Sequence, residues 1–322
     1  MKAIVCDKYG PPDVLRLAEI PKPAPKDGEI LIKVRATTVN RTDTAMLRAK
    51  PFFARLITGV LKPANPVLGT EFSGEVETVG KNVASFKAGD KVFGFEELGF
   101  GSHAQYKTMP ENSGMAVMPE SITFEEAAPS LEGAHYALNF INKVEVKEGQ
   151  KVLVNGATGA IGSALVQLLR YFGADITAVC GSNNMELVKK LGAGRVIDYT
   201  QEDFTKDAQK YDFVFDAVGK SSFSECKPLL SPGGVYISSE LGHMAQNIFF
   251  AVTTPLFGGR KVIFPMPQDL HGSVRFIKKL IEEGKYKAVI DRKYPLERIV
   301  EAYKYVETGE KTGNVVITME HE

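Results

Sequence analysis

The sequence predicts an α/β chain built on a doubly wound parallel sheet, with an all-β, barrel-like domain placed before it. Three observations predict this. A strand, a glycine turn and a helix follow one another between Gln150 and Arg170. Strand and helix patterns alternate from about residue 121 onward. Short β-rich runs, parted by turn clusters, fill the residues before that point.

The early runs are Ala3–Cys6, Glu29–Ala36, Gly74–Val79 and Asp90–Phe95. Gly10-Pro-Pro-Asp13, Pro21-Lys-Pro-Ala-Pro25 and Lys87-Ala-Gly-Asp90 punctuate them as turns, a pattern that suits a compact barrel. Met46–Pro66 interrupts it with Pro51, Phe52, Phe53, Leu56, Ile57 and Leu61. Two readings of this segment stand: a local packing insert, or an apolar wall of a substrate pocket, since long ordered loops are often functional. The later strands read as Lys151–Asn155, Asp175–Cys180, Arg195–Asp198, Phe213–Asp216, Gly234–Ser239 and Lys261–Phe264. Their spacers are long enough for crossover helices, which makes the sheet parallel. One such helix, Asn184–Leu191, stops at Gly192. Beyond lie a helix at Val274–Gly284, a strand at Ala288–Asp291, a helix at Leu296–Thr308 and a strand at Asn314–Thr318. This tail is expected to return to the first domain, dividing the chain into 1–120 with 268–322 and 121–267.

Between Val152–Val154 and the helical face of Ile161, Leu165, Leu168 and Leu169 sit Gly156, Gly159 and Gly162. Glycine lets the main chain turn sharply and approach a ligand, and the helix start offers free N–H groups to phosphates. Dinucleotide binding follows from that context, with Ala157, Thr158, Gly159, Ala160, Ile161 and Gly162 lining the turn.

Composition excludes other classes. Lys plus Arg and Asp plus Glu both number 39, so no net field attracts nucleic acid or an anionic membrane. Three scattered cysteines, Cys6, Cys180 and Cys226, imply no disulfide framework and suit a reducing cytoplasm. The N-terminal apolar run ends too early for a secretory signal, and the apolar segment Ile248–Phe257 is too short to span a bilayer. A soluble cytoplasmic protein is expected.

Several motifs, taken in order, resemble the medium-chain dehydrogenase/reductase superfamily, and specifically its zinc-free, quinone-oxidoreductase-like branch. They are Met1-Lys-Ala-Ile-Val5, Gly10-Pro-Pro12, Ala36-Thr-Thr-Val-Asn40-Arg-Thr-Asp43, Leu68-Gly-Thr-Glu-Phe-Ser-Gly74 and Val79-Gly80. Lys87-Ala-Gly-Asp90-Lys-Val92, the glycine turn, Leu191-Gly-Ala193, Val196-Ile-Asp-Tyr199, Asp216-Ala-Val-Gly219 and Gly313-Asn-Val-Val-Ile317 complete the set, which covers essentially the whole chain. The resemblance implies a GroES-like β domain, a Rossmann domain and an active-site cleft between them. It also implies cofactor contacts at Val218, Gly219 and Asn314, an adenine-side Tyr199, and a homodimer, for which Ile248–Phe257 is the candidate surface.

Zinc-dependent members of that superfamily use a cysteine, a Gly-His-Glu histidine and a later ligand. Here Arg41 stands near the first position, and Thr70 replaces the histidine in Gly69-Thr-Glu71. No zinc is expected, since catalytic zinc needs about three protein ligands. His103, His135, His243, His271 and His321 show no paired ligand spacing.

NAD-preferring folds place an acid about twenty residues past the glycine turn, on the ribose hydroxyls. Here that point reads Val179-Cys-Gly-Ser-Asn-Asn184, without an acid. Ser182 and Asn183 are candidate donors to a 2′-phosphate, so NADP(H) is expected to be preferred and NAD(H) possible. Where the family places a threonine contact near the Ala-rich helix, this chain has Gly133-Ala-His-Tyr136.

The implied chemistry is hydride transfer from NADPH to a small electrophilic acceptor, a quinone or an α,β-unsaturated carbonyl. Asn40, which can donate and accept, and Asp43, a possible proton relay, are the candidate catalytic residues. Asp43 reads equally well as a cap of a turn or helix. The alternatives are an alcohol or ketone oxidoreductase of the same fold, or a non-catalytic NADPH-binding sensor. A short-chain dehydrogenase is excluded, because no tyrosine has lysine at i+4.

Overall fold

A computed structural model of the chain describes residues 1–50, 52, 55–97 and 100–321. Strands β1 (Lys2–Val5), β2 (Arg16–Glu19) and β3 (Glu29–Val39) lead to helices α1 (Arg41–Arg48) and α2 (Arg55–Thr58). Then come β4 (Glu71–Val79), β5 (Lys91–Phe95), β6 (Tyr106–Pro110), β7 (Met115–Val117), α3 (Phe124–Ala127) and α4 (Glu132–Asn142). The alternating part runs β8 (Lys151–Asn155), α5 (Ala160–Tyr171), β9 (Asp175–Cys180), α6 (Met185–Leu191), β10 (Arg195–Asp198), β11 (Tyr211–Asp216) and α7 (Phe223–Cys226). It continues with β12 (Leu230–Ser238), α8 (Gln246–Phe257), β13 (Lys261–Ile263) and α9 (Leu270–Glu282). The chain ends with β14 (Ile290–Pro295), α10 (Ile299–Thr308) and β15 (Asn314–Thr318).

These elements form two compact units, one of residues 1–132, 274–283 and 287–322, the other of 133–273 and 284–286. In the first, β3 is the hub: it pairs antiparallel with β15, β4 and β6. Its run Ile30-Leu-Ile-Lys-Val34 is β-branched enough to hold an extended backbone, and Ile30, Ile32 and Val34 are fully buried with Phe72, Val76 and Ile317. The tail returns here, because β15 pairs with β3 and β14 pairs parallel with β15. The sequence reading missed β2, β6 and β7, whose short, half-exposed runs carry little apolar signal.

In the second unit the sheet order is β10-β9-β8-β11-β12-β13, every pair parallel. This is the doubly wound order, in which the strand sequence reverses between β8 and β11. Val152, Leu153 and Val154 are all fully buried, as a strand covered on both faces requires. For that reason the parallel strands read as continuous apolar runs.

The segment around Met46–Pro66 holds the end of α1, a left-handed Ala49 and α2; Pro51 and Phe53 lie outside the described residues. Tyr9 anchors it by donating to Gly59 O at 2.7 Å. Phe52, Leu56 and Leu61 are at least three-quarters exposed while Leu47 is buried, and the side chain of Ile57 lies outside the described residues. No helix among the described residues is long and apolar enough to cross a membrane.

The glycine turn is closely packed at one end. A Cβ on Gly162 would lie 2.0 Å from Gly156 O, whereas one on Gly159 would meet only that same oxygen, at 3.8 Å. Gly162→Ala is therefore expected to lower stability by about 2 kcal/mol or more, and Gly159→Ala, a change at a helix N-cap, by clearly less. Urea unfolding followed by circular dichroism compares the two; equal stabilities would contradict this packing.

Candidate active site

The glycine turn is built at the carboxyl ends of three neighbouring strands. Asn155, Cys180 and Asp216 close β8, β9 and β11, and the ladder is extended by Ala157 N donating to Val179 O and Ala217 N to Asn155 O. Gly156 takes φ +78°, a left-handed value that favours glycine, and a Cβ there would lie 2.6 Å from Val218 Cβ. Gly159 is the N-cap of α5 and offers no side chain, so the first N–H groups of that helix are left for a ligand. Ala157, Thr158, Gly159, Ala160, Ile161 and Gly162 are thus brought together with Val218 and Gly219.

Asp216 holds Val218 and Gly219 in place. Its carboxylate accepts from Val218 N (3.2 Å), Gly219 N (2.9 Å), Asn155 Nδ2 (3.1 Å), Ser221 Oγ (2.9 Å) and Tyr236 OH (3.1 Å). Sequence reasoning quoted Asp216 in a motif and gave it no role; an acid at a strand end followed by Gly219 was the available signal.

At the exit of β9, Ser182 opens a short 3-10 turn, and Tyr199, three-fifths exposed, lies beside Gly181. The expectation that Ser182 donates to a 2′-phosphate meets a competitor. The Ser182 hydroxyl donates to Asp198, the last residue of the adjacent β10. The turn itself has no acid, yet one reaches it through space, where counting along the chain could not find it. Asn314 belongs to the other unit. It opens β15, its Nδ2 donates to Val289 O (3.1 Å), and its buried Oδ1 has no hydrogen-bond partner.

Asn40 and Asp43 lie in a buried polar network of the first unit. Asn40 Nδ2 faces three acceptors: Glu71 Oε2 at 3.1 Å, and Glu132 Oε2 and Thr38 Oγ1 at 3.3 Å. Its two amide hydrogens are engaged by these acceptors, so Asn40 has no spare amide hydrogen for a ligand. Asp43 is fully buried, and Asn40 N donates to its Oδ2 at 2.7 Å, so the capping alternative is the one with a visible partner. Burial first, then repulsion from Glu132, pushes the Asp43 carboxyl well above the usual range.

Glu71 and Glu132 were not singled out from sequence, and they organise the cluster. Glu71 accepts from Leu131 N (3.1 Å), Glu132 N (2.6 Å), Thr38 Oγ1 (3.0 Å) and Asn40 Nδ2. Glu132 accepts from Thr42 Oγ1, Asn40 Nδ2 and Thr70 Oγ1 (3.1 Å). Burial raises both carboxyls, and repulsion from Glu132 raises Glu71 further. Thr70, at the position of the zinc-ligand histidine, is thereby a donor to a carboxylate. Among the described residues, no group of three or more His, Cys, Asp or Glu is arranged to hold a metal ion.

Lys311 is the cation of this network, and the sequence reading passed over it. Its Nζ donates to Gly313 O and to Asn40 Oδ1 (3.4 Å). Burial lowers its pKa to about 8 although Glu132 and Glu71 favour its charged form. Lys311 and Thr42 keep partial exposure, while Asn40, Asp43, Glu71, Glu132 and Thr70 do not. Two buried histidines have protein partners. His103, fully buried against Thr38 O (2.8 Å), is held neutral by burial with a pKa of about 4. His135 is tied to Ser273 Oγ at 2.8 Å. Burial raises Cys6 and Cys180 to about 11 and Cys226 to about 12, so none is a ready nucleophile.

A barrel-type sheet unit, a doubly wound unit and a glycine turn at its switch point define a dehydrogenase/reductase architecture. The chain belongs to the medium-chain dehydrogenase/reductase superfamily, in its quinone-oxidoreductase-like branch. Residues 26–120 match the family described as alcohol dehydrogenase GroES-like domain, and residues 191–317 that described as zinc-binding dehydrogenase. The quinone-oxidoreductase homolog of Spinacia oleracea chloroplasts is 31% identical, covering 98% of each chain. The NADPH-dependent alkenal/one oxidoreductase of Arabidopsis thaliana chloroplasts is 33% identical over 98% of this chain and 79% of its own. The solved quinone oxidoreductase of Coxiella burnetii superposes with a TM-score of 0.86 at 28% identity over 99% of both chains.

The open space beyond Gly159 generates a test. Gly159→Asp is expected to fold normally, because its Cβ meets no close neighbour. Its carboxylate would stand among the helix N–H groups that a diphosphate needs, so dinucleotide affinity should fall about a hundredfold or more. Titration of NADPH fluorescence reads the loss; an unchanged curve would move the nucleotide elsewhere.

Proposed function

We propose that this chain is a zinc-independent reductase that passes a hydride from NADPH, with NADH also usable, to a quinone or an α,β-unsaturated carbonyl. The observation that carries the reading is a buried carboxylate–amide network ending in the partly exposed Lys311, in a chain that also holds a glycine turn at an uncapped helix start. Support for the cofactor comes from the uncapped α5, whose first N–H groups are left for a ligand. Relatives named as NADPH-dependent support the same choice. Zinc independence rests on Arg41 and Thr70, a cation and a hydroxyl at the ligand positions.

When bound, the reduced nicotinamide supplies the hydride. The chain's own residues must orient the acceptor and complete the proton balance. An acceptor that gains a hydride gains two electrons and one hydrogen, and becomes a hydroquinone or enolate anion. The Lys311 ammonium neutralises it by giving up one proton, and the amine left behind recovers a proton from water. Asn40 acts as a positioning residue, since its Oδ1 holds Lys311 while its amide hydrogens rest on Glu71 and Glu132. Asp43 fixes the Asn40 main chain in turn.

The direction of the pH effect follows. Lys311 donates only while protonated, and its pKa is lowered to about 8 by burial. Glu132, Glu71 and Asp291 favour the charge, and Arg41 opposes it. The donating form is complete well below that pH and is lost as pH rises through it. Steady-state oxidation of NADPH and NADH with quinones, alkenals and ketones tests the reading. We expect turnover with a quinone or enone and kcat falling above about pH 8. Lys311→Met should lower kcat about a hundredfold and abolish that high-pH limb. Nucleotide binding without turnover on any acceptor would leave the chain a sensor; an unchanged pH profile in the variant would remove Lys311 from the chemistry.

We also propose a homodimer built on α8. Phe249, Val252, Leu256 and Phe257 on that helix are each more than three-fifths exposed, more apolar area than an isolated surface helix keeps. Light scattering at micromolar concentration should report twice the chain mass. A monomer there, or a dimer undisturbed by Val252→Glu with Leu256→Glu, contradicts the assignment.

A further inference from the structure

The end of β10 carries a proton inventory that bears on nucleotide choice. Asp198 Oδ1 accepts from Thr200 N at 2.9 Å and from Thr200 Oγ1 at 2.7 Å, and Asp198 Oδ2 accepts from the Ser182 hydroxyl. Ser182 Oγ and Thr200 Oγ1 also lie 3.0 Å apart. A hydroxyl owns one hydrogen. Both of these hydrogens are engaged by the Asp198 carboxylate, so what Ser182 and Thr200 present outward is lone pairs. Gln201 Nε2 already donates to Thr200 Oγ1 at 3.3 Å, which takes one of its two lone pairs and leaves Ser182 Oγ the freer outward acceptor. Hydrogen bonds from Ser182, then Thr200, hold the Asp198 carboxyl below the usual range, so it stays charged.

The two forms of the ribose differ in the same respect. A 2′-hydroxyl brings a hydrogen and finds an acceptor; a 2′-phosphate brings only acceptors and negative charge. In the doubly wound fold this exit from the second strand is where the adenosine ribose is read. We propose that Asp198, acting through Ser182, is the specificity determinant that keeps NADH usable and limits the preference for NADPH. It supplies by way of the third strand the carboxylate that the turn Cys180–Asn184 lacks. The inference rests on the reading that the Gly156–Gly162 turn holds the dinucleotide.

Equilibrium titration of nucleotide fluorescence with the full chain tests it, without reference to any acceptor. Asp198→Asn keeps an oxygen for Thr200 N and turns an amide donor toward Ser182 Oγ, which frees the Ser182 hydrogen for a phosphate. NADPH affinity should rise and NADH affinity fall, moving their ratio on the order of tenfold or more, as removal of a like-charge contact would. Added salt should narrow the NADPH part of the shift, since the effect is charge repulsion. Ser182→Ala, at an exposed turn position, provides a second arm that does not depend on the folding of the Asp198→Asn variant. It deletes the outward acceptor and should weaken NADH while sparing NADPH. A ratio that stays fixed, or that moves toward NADH, in both variants overturns the proposal. Failure of the unaltered chain to bind either nucleotide would overturn the dinucleotide reading, and this inference with it.

Discussion

A carboxylate shut away from water must find its donors in the chain, and Glu71 finds four. It leaves β4, takes the N–H groups of Leu131 and Glu132 where α4 begins, and receives Thr38 from β3 and Asn40 from the start of α1. A helix start is a favourable place for negative charge, so part of the cost of burial is offset there. Each unpaired buried donor would cost about 1–3 kcal/mol. Loss of Glu71 would orphan several at once, which makes this one side chain the junction of β3, β4, α1 and α4. Everything argued for Asn40, Glu132 and Lys311 depends on it, because Asn40 can be held in one orientation only while its amide faces that carboxylate.

The same interaction explains why the residues named from sequence took other roles in the structure. Asn40 and Asp43 were legible as a polar pair at a helix start, and the structure keeps them together. Their partners come from Glu71, Glu132 and Lys311, which stand 31, 92 and 271 residues from Asn40. No spacing rule reaches across such separations. Most strands of the parallel sheet were readable to within a residue or two, since burial on both faces writes an uninterrupted apolar run; β12 begins at Leu230, four residues before the expected Gly234. Lys151–Asn155, Asp175–Cys180, Arg195–Asp198 and Asn314–Thr318 stand as expected. The antiparallel strands β2, β6 and β7 were lost, because one wet face and three to five residues give little pattern. Domain limits were set from sequence at a change of texture; contacts divide the chain at 132/133 and 273/274, inside the patterns of α4 and α9.

Asp198 and Lys311 share a reason for being overlooked. Each was visible as a residue type, but its meaning lies in which hydrogens its neighbours have already given away. Asp198 absorbs the hydrogens of Ser182 and Thr200 and so turns two nominal donors into acceptors. Glu71 and Glu132 absorb those of Asn40, Thr38, Thr42 and Thr70, donors that a residue count would have offered to a substrate carbonyl. Within this buried network, Lys311 is the cation that keeps hydrogens to give and some exposure. Site chemistry in this chain is therefore set by subtraction: carboxylates strip hydroxyls and amides of their donor capacity, and the surviving donor or acceptor defines the chemistry that each unit can offer.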